Sequence, residues 1–258
     1  MKLYARFLCM LFKSQMQYRA SFVMLALGQF LVSFTAFLGI RFLFDRFHAV
    51  QGFSYEEILL CFSVVLMAFS LTECFVRGFD LFPSLIQSGG LDRILLRPRG
   101  VVFQVLTSRM DFSRVGRLVQ AVWMLAYAVD NSAMAWTADK AATLALMLAG
   151  GVAVFAALFV LYAGLSFLTI EGLEFVNIFT DGSREFGKYP LSIYGEGVLK
   201  FYTYVIPVAL FQYYPLLYLT GRSDAAGLMF LPLLGFVFLL PCYGFFRWGL
   251  RRYQSTGS

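Results

Sequence analysis

ILLCFSVVLMAFSLTECFVRGF (58–79) carries no charge over 58–72 and then sets Glu73 and Arg77 four residues apart near its end. The hydrocarbon core of a bilayer is about 30 Å thick and takes about 20 apolar residues as α-helix. The stretch is therefore read as a membrane-crossing helix with one polar end. Segments 22–44, 118–135, 141–170 and 228–246 have the same character. A sixth, 201–220, is long enough but contains Pro207 and Pro215, so it is expected to be kinked or broken. The whole chain is 60% hydrophobic and 14% charged, against roughly 25% charged residues in an ordinary globular protein. These observations predict an all-α membrane protein with six transmembrane helices, forming one domain over 1–258. No connecting segment has the length of a soluble catalytic domain.

Charge distribution orients the spans. With the N-terminus inside, 17 of the 21 Lys and Arg residues fall on one side, leaving Arg41, Arg46, Lys140 and Arg222 outside or near the outer ends. An excess of basic residues in short loops marks the cytoplasmic side, so both termini are expected in the cytoplasm. The net charge of +6 is then a property of topology, and nucleic acid is not expected as a partner. No cleavable signal peptide is expected, because the first apolar span is too long and lacks a small-residue cleavage site. Cys9, Cys61, Cys74 and Cys242 have neither metal-ligand nor disulfide spacing and read as buried small hydrophobes. His48 stands alone in an outer loop, so no histidine-based metal or catalytic cluster is expected.

Two cytoplasmic elements stand out. In 1–19, helical spacing places Lys2, Arg6, Lys13 and Gln17 within an arc of about 60°, with Leu3, Phe7, Leu8, Met10, Leu11 and Phe12 on the remaining face. Such a helix lies in the membrane interface, its basic stripe toward phosphates or a cytoplasmic partner. The longest internal connection, 81–117, contains LIQSGGLDRILLRPRG (85–100). Ser88 or Gly89 can start a short helix there, Leu91, Ile94 and Leu95 give it an apolar face, and Pro98 ends it. Asp92 near its start and Arg97 near its end suit the helix dipole. Its apolar face requires cover, either from a soluble partner or from the protein's own helix ends.

Ionisable residues within the spans are costly and normally face protein or water. Glu73, Arg77 and Asp80 share one face near the inner end of the second span. They read either as a polar hinge or pathway wall or as a clamp between helices, with the clamp favoured. Glu171 and Glu174, ending the fourth span, allow the same two readings, and Arg41 and Asp45 pair at the outer end of the first. GSREFGK (182–188) has the spacing of a phosphate-binding loop, but Tyr189 stands where Ser or Thr would hold Mg²⁺ and no strand precedes it. ATP binding by this chain is not expected.

The phrases FVRGFDLFPSLIQSGGLDRILLRPRGVVFQVL (75–106) and REFGKYPLSIYGEGVLKFYTYVIPVALFQYYPLLYLTG (184–221) resemble the membrane subunits of the type 2 ABC exporter permease family, in a bacterial six-span branch without a fused ATPase. The resemblance covers essentially the whole chain. It implies a dimer of permeases, identical or different, in the bacterial inner membrane among lipids, docked on separate ATP-binding cassette ATPase subunits. Those partners would hold ATP and Mg²⁺, and this chain would bind no cofactor. The N-terminal helix, with Lys2, Arg6 and Lys13, matches the family's interface helix. Residues Gly89, Gly90, Leu91, Asp92, Arg93, Ile94 and Arg97 match its coupling helix. Arg184, Glu185, Phe186, Gly187, Tyr189 and Pro190 carry the second family phrase. In the wider family a full helix followed by an outer re-entrant hairpin often precedes the last span. Hydropathy instead places 171–200 inside and makes 201–220 the fifth span, leaving as the alternative a buried crossing at 175–195 with a re-entrant element shaped by Pro207 and Pro215.

The resemblance implies export of amphipathic or lipid-like molecules, and the aromatic run Tyr202, Tyr204, Phe211, Tyr213, Tyr214 and Tyr218 suits such a pathway. An ion-coupled secondary transporter would place carboxylates near the bilayer midplane, and a non-transporting membrane scaffold would need neither carboxylates nor an ATPase.

Overall fold

The computed structural model describes residues 2–47, 49–132, 134–169 and 174–254, with the backbone alone for Lys2, Glu174, Phe175 and Val176. His48, Glu171 and the side chains of Lys2 and Glu174 therefore lie outside the described residues. The chain is all-helical apart from one isolated bridge, Val50 to Phe53, among the described residues. An amphipathic helix α1 (Lys2–Gln15) leads through a 3-10 turn into α2 (Arg19–Arg46), and α3 (Tyr55–Asp80) returns. Three short helices follow, α4 (Phe82–Gln87), α5 (Gly90–Leu95) and α6 (Val101–Ser108). Then come the long helices α7 (Val115–Asn131) and α8 (Ala138–Leu165), and the shorter α9 (Glu174–Phe186). Helices α10 (Glu196–Tyr204), α11 (Val208–Phe211) and α12 (Tyr213–Leu219) precede α13 (Leu234–Arg252), which a 3-10 segment (Ala226–Leu233) extends at its start.

Among the described residues, four helical segments are long and apolar enough to cross a membrane: Leu3–Arg46, Tyr55–Gln87, Ala138–Leu165 and Ala226–Arg252. The most apolar window of the second is 89% buried, whereas those of the first and last are 17% buried. Helix α3 is thus the axis of the bundle, and α2 and α13 turn most of their apolar surface outward. Helix α3 begins with a capping box, in which Ser54 accepts from the Glu57 backbone and Glu57 accepts from that of Ser54. Around it, close helix approaches depend on small residues. A Cβ on Gly116 would lie 1.9 Å from the Ala26 carbonyl oxygen of α2, and one on Gly78 would lie 2.0 Å from the Val105 carbonyl oxygen of α6.

Segment 174–194 runs antiparallel to α3, opposite to the expectation of an inside loop. Arg184 sits 5.0 Å over the Phe69 ring, Lys188 sits 5.8 Å over Phe62, and the Gln51 side chain of the α2–α3 loop donates to the Ile193 carbonyl at 3.4 Å. Successive positions thus climb α3 from its end toward its start. From there α10 doubles back, with Tyr202 packing on Phe186 and Phe201 on Phe179. The chain reverses around Pro207, and Arg222 then donates to the Gly52 carbonyl at 2.6 Å and pairs with Glu57 at 2.7 Å. Both ends of this hairpin rest on the same α2–α3 loop, and 201–220 forms three short helices interrupted at Pro207 rather than one continuous helix. Asp181, Arg184, Glu185 and Lys188, which lower the hydropathy of this stretch, are partnered within the protein, and hydropathy does not count such pairing. Arg184, Lys188 and Lys200 accordingly leave the group of end-facing cations.

Close packing at Gly116 yields a test. Gly116→Ala should separate α2 from α7 and lower stability by about 1–3 kcal/mol. Gly28→Ala, where an added Cβ meets nothing within 4 Å, should be neutral or slightly stabilising. Thermal unfolding in detergent distinguishes the two.

Candidate functional site

The end of the bundle that carries α1 is a built platform. Gly89 adopts a left-handed backbone (φ 63°), and a Cβ on Gly90 would approach Leu85 to 2.7 Å, so the two glycines permit the tight α4–α5 turn. Gly89, one of the two starts expected from the sequence, is the N-cap of α5, and no side chain caps the helix. Its C-terminal end is satisfied instead by Gln104 of α6, which donates to the carbonyls of Ile94 and Arg99 at 3.0 and 2.8 Å.

The apolar face of α5 is covered by the protein itself. Leu91 is 0% exposed and Ile94 8%, both inside the core shared with Phe82, Ile86 and Phe246. Asp92 is half-buried beside Tyr253, while Arg93 and Arg97 are exposed. What α5 offers to solvent is Leu95 (44% exposed) and Leu96 (86% exposed), flanked by Arg93, Arg97 and Arg99.

Helix α1 is fastened to this platform. Tyr4 and Phe7 pack on Phe103 of α6, Phe12 on Phe112, and the Gln15 side chain both donates to the Met110 carbonyl and accepts from the Phe112 backbone. Arg6 and Lys13 remain exposed.

Just above the platform lies a buried charge cluster. Glu73, 3% exposed, pairs with Arg77 at 2.9 Å, Arg114 at 3.3 Å and Arg117 at 2.9 Å. Arg77 also reaches Asp80 at 3.1 Å and Arg114 reaches Asp111 at 3.1 Å. The Arg117 Nε–H donates to Gln29 of α2 at 2.7 Å, and its guanidinium shares the Phe69 ring with that of Arg184. The cluster therefore spans α2, α3 and α7 and touches α9. Sequence spacing brings out Glu73, Arg77 and Asp80, but Arg114 and Arg117 read only as end-facing loop charges. Their i, i+3 spacing at the start of a span was the available signal.

The second family phrase forms the core of α9 and its exit. Arg184 pairs with Asp181 at 3.3 Å and with Glu185 at 3.1 Å, and Lys188 pairs with Glu185. Gly187 fits against Val65, and Pro190 is buried. Gln212 of the hairpin donates to the carbonyls of Gly187 and Tyr189 at 3.3 and 2.9 Å, joining hairpin to helix. Phe186 stacks edge-on with Tyr194 at 4.8 Å. Residues 182–186 are helical, so the phosphate-loop spacing falls on a helix. Within the aromatic run, Tyr202 and Phe211 are buried and Tyr204 is largely exposed, so most of these rings serve packing.

Removing one partner from a buried ion pair costs roughly 3–5 kcal/mol, because the remaining charge is left uncompensated. Glu73→Gln, which leaves buried Arg117 without a carboxylate, should lose that much, whereas Asp45→Asn at the exposed Arg41 pair should cost less than about 1 kcal/mol. Comparing their melting temperatures in the same detergent checks the contrast.

Comparison with known proteins bears on the whole bundle. The family described as ABC-2 family transporter protein matches residues 30–257, which include every helix from α3 to α13. No curated protein and no solved structure matches the chain. The chain belongs to the ABC-2 family of transporter proteins.

Proposed function

We propose that this chain is the membrane-spanning permease subunit of an ATP-driven exporter, set in a bacterial inner membrane with both termini in the cytoplasm. It pairs with a second permease, identical or different, and docks separate ATP-binding cassette ATPases that hold ATP and Mg²⁺. No residue of this chain performs covalent chemistry; energy reaches it as differential contact between two states.

The observation that carries the reading is the two-sided construction of α5. Its inner side, Leu91 and Ile94, is locked into the bundle core, and its outer side presents Leu95 and Leu96 in a ring of arginines. A helix exposing two leucines at the tip of a rigid foot suits a partner groove. Because Leu91 lies in one buried core with Phe79 of α3, Phe82 of α4 and Phe246 of α13, a push on the tip is delivered to α3 and α13. Exposed Arg6 and Lys13 on α1 extend the same face. Family membership supplies the class of partner, and the cations left on this end after Arg184, Lys188 and Lys200 are withdrawn still favour its being cytoplasmic.

Co-purification tests the proposal. The tagged chain should recover an ATPase subunit from detergent extracts, and failure to do so under conditions that keep it folded would sink the reading. Leu96→Glu should weaken that recovery by roughly thirtyfold or more, as loss of an interface anchor does, with an unchanged melting temperature. Leu91→Asp should instead unfold the foot, at a cost of at least about 3 kcal/mol.

A further inference from the structure

The tip of the foot, 93–99, is held in one shape. The Leu96 backbone donates to the Asp92 carbonyl and that of Arg97 to the Ile94 carbonyl, both at 3.2 Å. The Arg99 backbone donates across Pro98 to the Arg97 carbonyl at 2.7 Å, and the proline ring fixes its own φ. From behind, the buried Gln104 ties the two ends of this turn together by donating to the carbonyls of Ile94 and Arg99. Leu91 and Ile94 anchor its base in the core. The turn that carries Leu95, Leu96, Arg97 and Arg99 is therefore preorganised.

Its charge is one-sided. Arg93, Arg97 and Arg99 are exposed, and none of them has an ion-pair partner among the described residues. Residues 93–110 contain no Asp or Glu, and Asp92 is half-buried beside Tyr253. Residues 1–44 contain none either, so exposed Arg6 and Lys13 on α1 add the same sign. Membrane insertion rewards cations near the ends of spans and is little affected by carboxylates. It therefore explains neither the lack of Asp and Glu nor the fixed turn. A lipid surface attracts cations by their number and needs no set spacing among them. A protein groove does gain from a rigid partner, which loses less freedom on binding.

We propose that the ATPase groove receiving this tip has an apolar floor for Leu95 and Leu96 and a rim of carboxylates facing Arg93, Arg97 and Arg99. The planar guanidinium fork suits that partner, and Gln104 is the positioning residue that keeps the three in register. The inference rests on the function proposed above and adds what selects the partner.

Two measurements on the full-length chain and its co-purified ATPase test it. Residues 82–110 contain no lysine, so Arg97→Lys puts a single amine on the foot. A water-soluble carbodiimide activates a carboxylate, and an amine touching it displaces the urea and forms an amide. Arg97→Lys should thus become joined to an Asp or Glu of the ATPase, located by peptide mass spectrometry, and the unsubstituted foot should not. Rebinding of the separated ATPase in neutral detergent should be about tenfold slower at about 0.5 M than at about 0.05 M NaCl, because screening removes electrostatic steering. At low salt Arg97→Glu should slow it about tenfold or more. Gln104→Met, which keeps every cation, should speed dissociation several-fold and leave the salt dependence unchanged. Arg46→Gln, at an exposed cation of the opposite end, should alter neither rate. Coupling to none of the ATPase's carboxylates, or rebinding indifferent to salt and to Arg97→Glu, overturns the proposal and leaves the docking function standing. So does recovery that requires phosphatidylglycerol and is blind to Arg97→Glu in phosphatidylcholine, which assigns the arginines to the membrane surface. An unchanged dissociation rate in Gln104→Met overturns its positioning role. Recovery of no ATPase even at low salt refutes the function proposed above and this inference with it.

Discussion

Burying a carboxylate is costly unless it is paired, and Glu73 is paired with three guanidiniums, from α3, from α7 and from the 3-10 turn that precedes α7. Much of the bundle's geometry follows from this requirement. Arg117 can reach Glu73 only if α7 lies close to α3, and its bond to Gln29 brings α2 in as well. Gly116, next in sequence, lets α2 and α7 approach until a Cβ would collide with the Ala26 carbonyl. On the other side Arg77 carries the network to Asp80, the last residue of α3 before the foot begins. The cluster is thus a joint between the crossing helices and the short helices at their end.

That joint gives the foot its mechanical character. Helix α5 has only six residues and would not persist alone, since isolated short helices are marginal in water. It is ordered because Leu91 and Ile94 enter the core, Gln104 takes its terminal carbonyls and α6 is pinned by Gly78 against α3. Helix α1 is tied to the same unit through Phe103 and Gln15. At the opposite end, the hairpin of α10–α12 is held by Arg222 on the α2–α3 loop and by Gln212 on the exit of α9. The two ends are therefore both attached to α3, which is the element able to couple them.

Where composition dominates, the residues were legible. The long apolar spans of α2, α3, α8 and α13, the amphipathic α1 and the short helix at Leu91–Leu95 all follow from periodicity and length, because each must hide apolar surface or lie at an interface. Segment 171–220 was read less well. Arg184, Glu185 and Lys188 lower its hydropathy although each has a partner within the protein, and the apolar run around Pro207 looks like a span although it turns back. Arg114 and Arg117 were missed as cluster members because their partner, Glu73, lies about forty residues away in sequence.

The sequence by itself determined the solvent of this protein, its helical class, the polar and apolar faces of its end helices and its family. These properties are local or additive, so they can be summed along a chain. Tertiary structure alone decided which charges are shared, that α9 runs through the bundle while α10–α12 return, and that Leu95 and Leu96 rather than Leu91 and Ile94 face outward. Each of those depends on which side chains meet across distant helices, and the energy of a charge or a leucine is set by that neighbour.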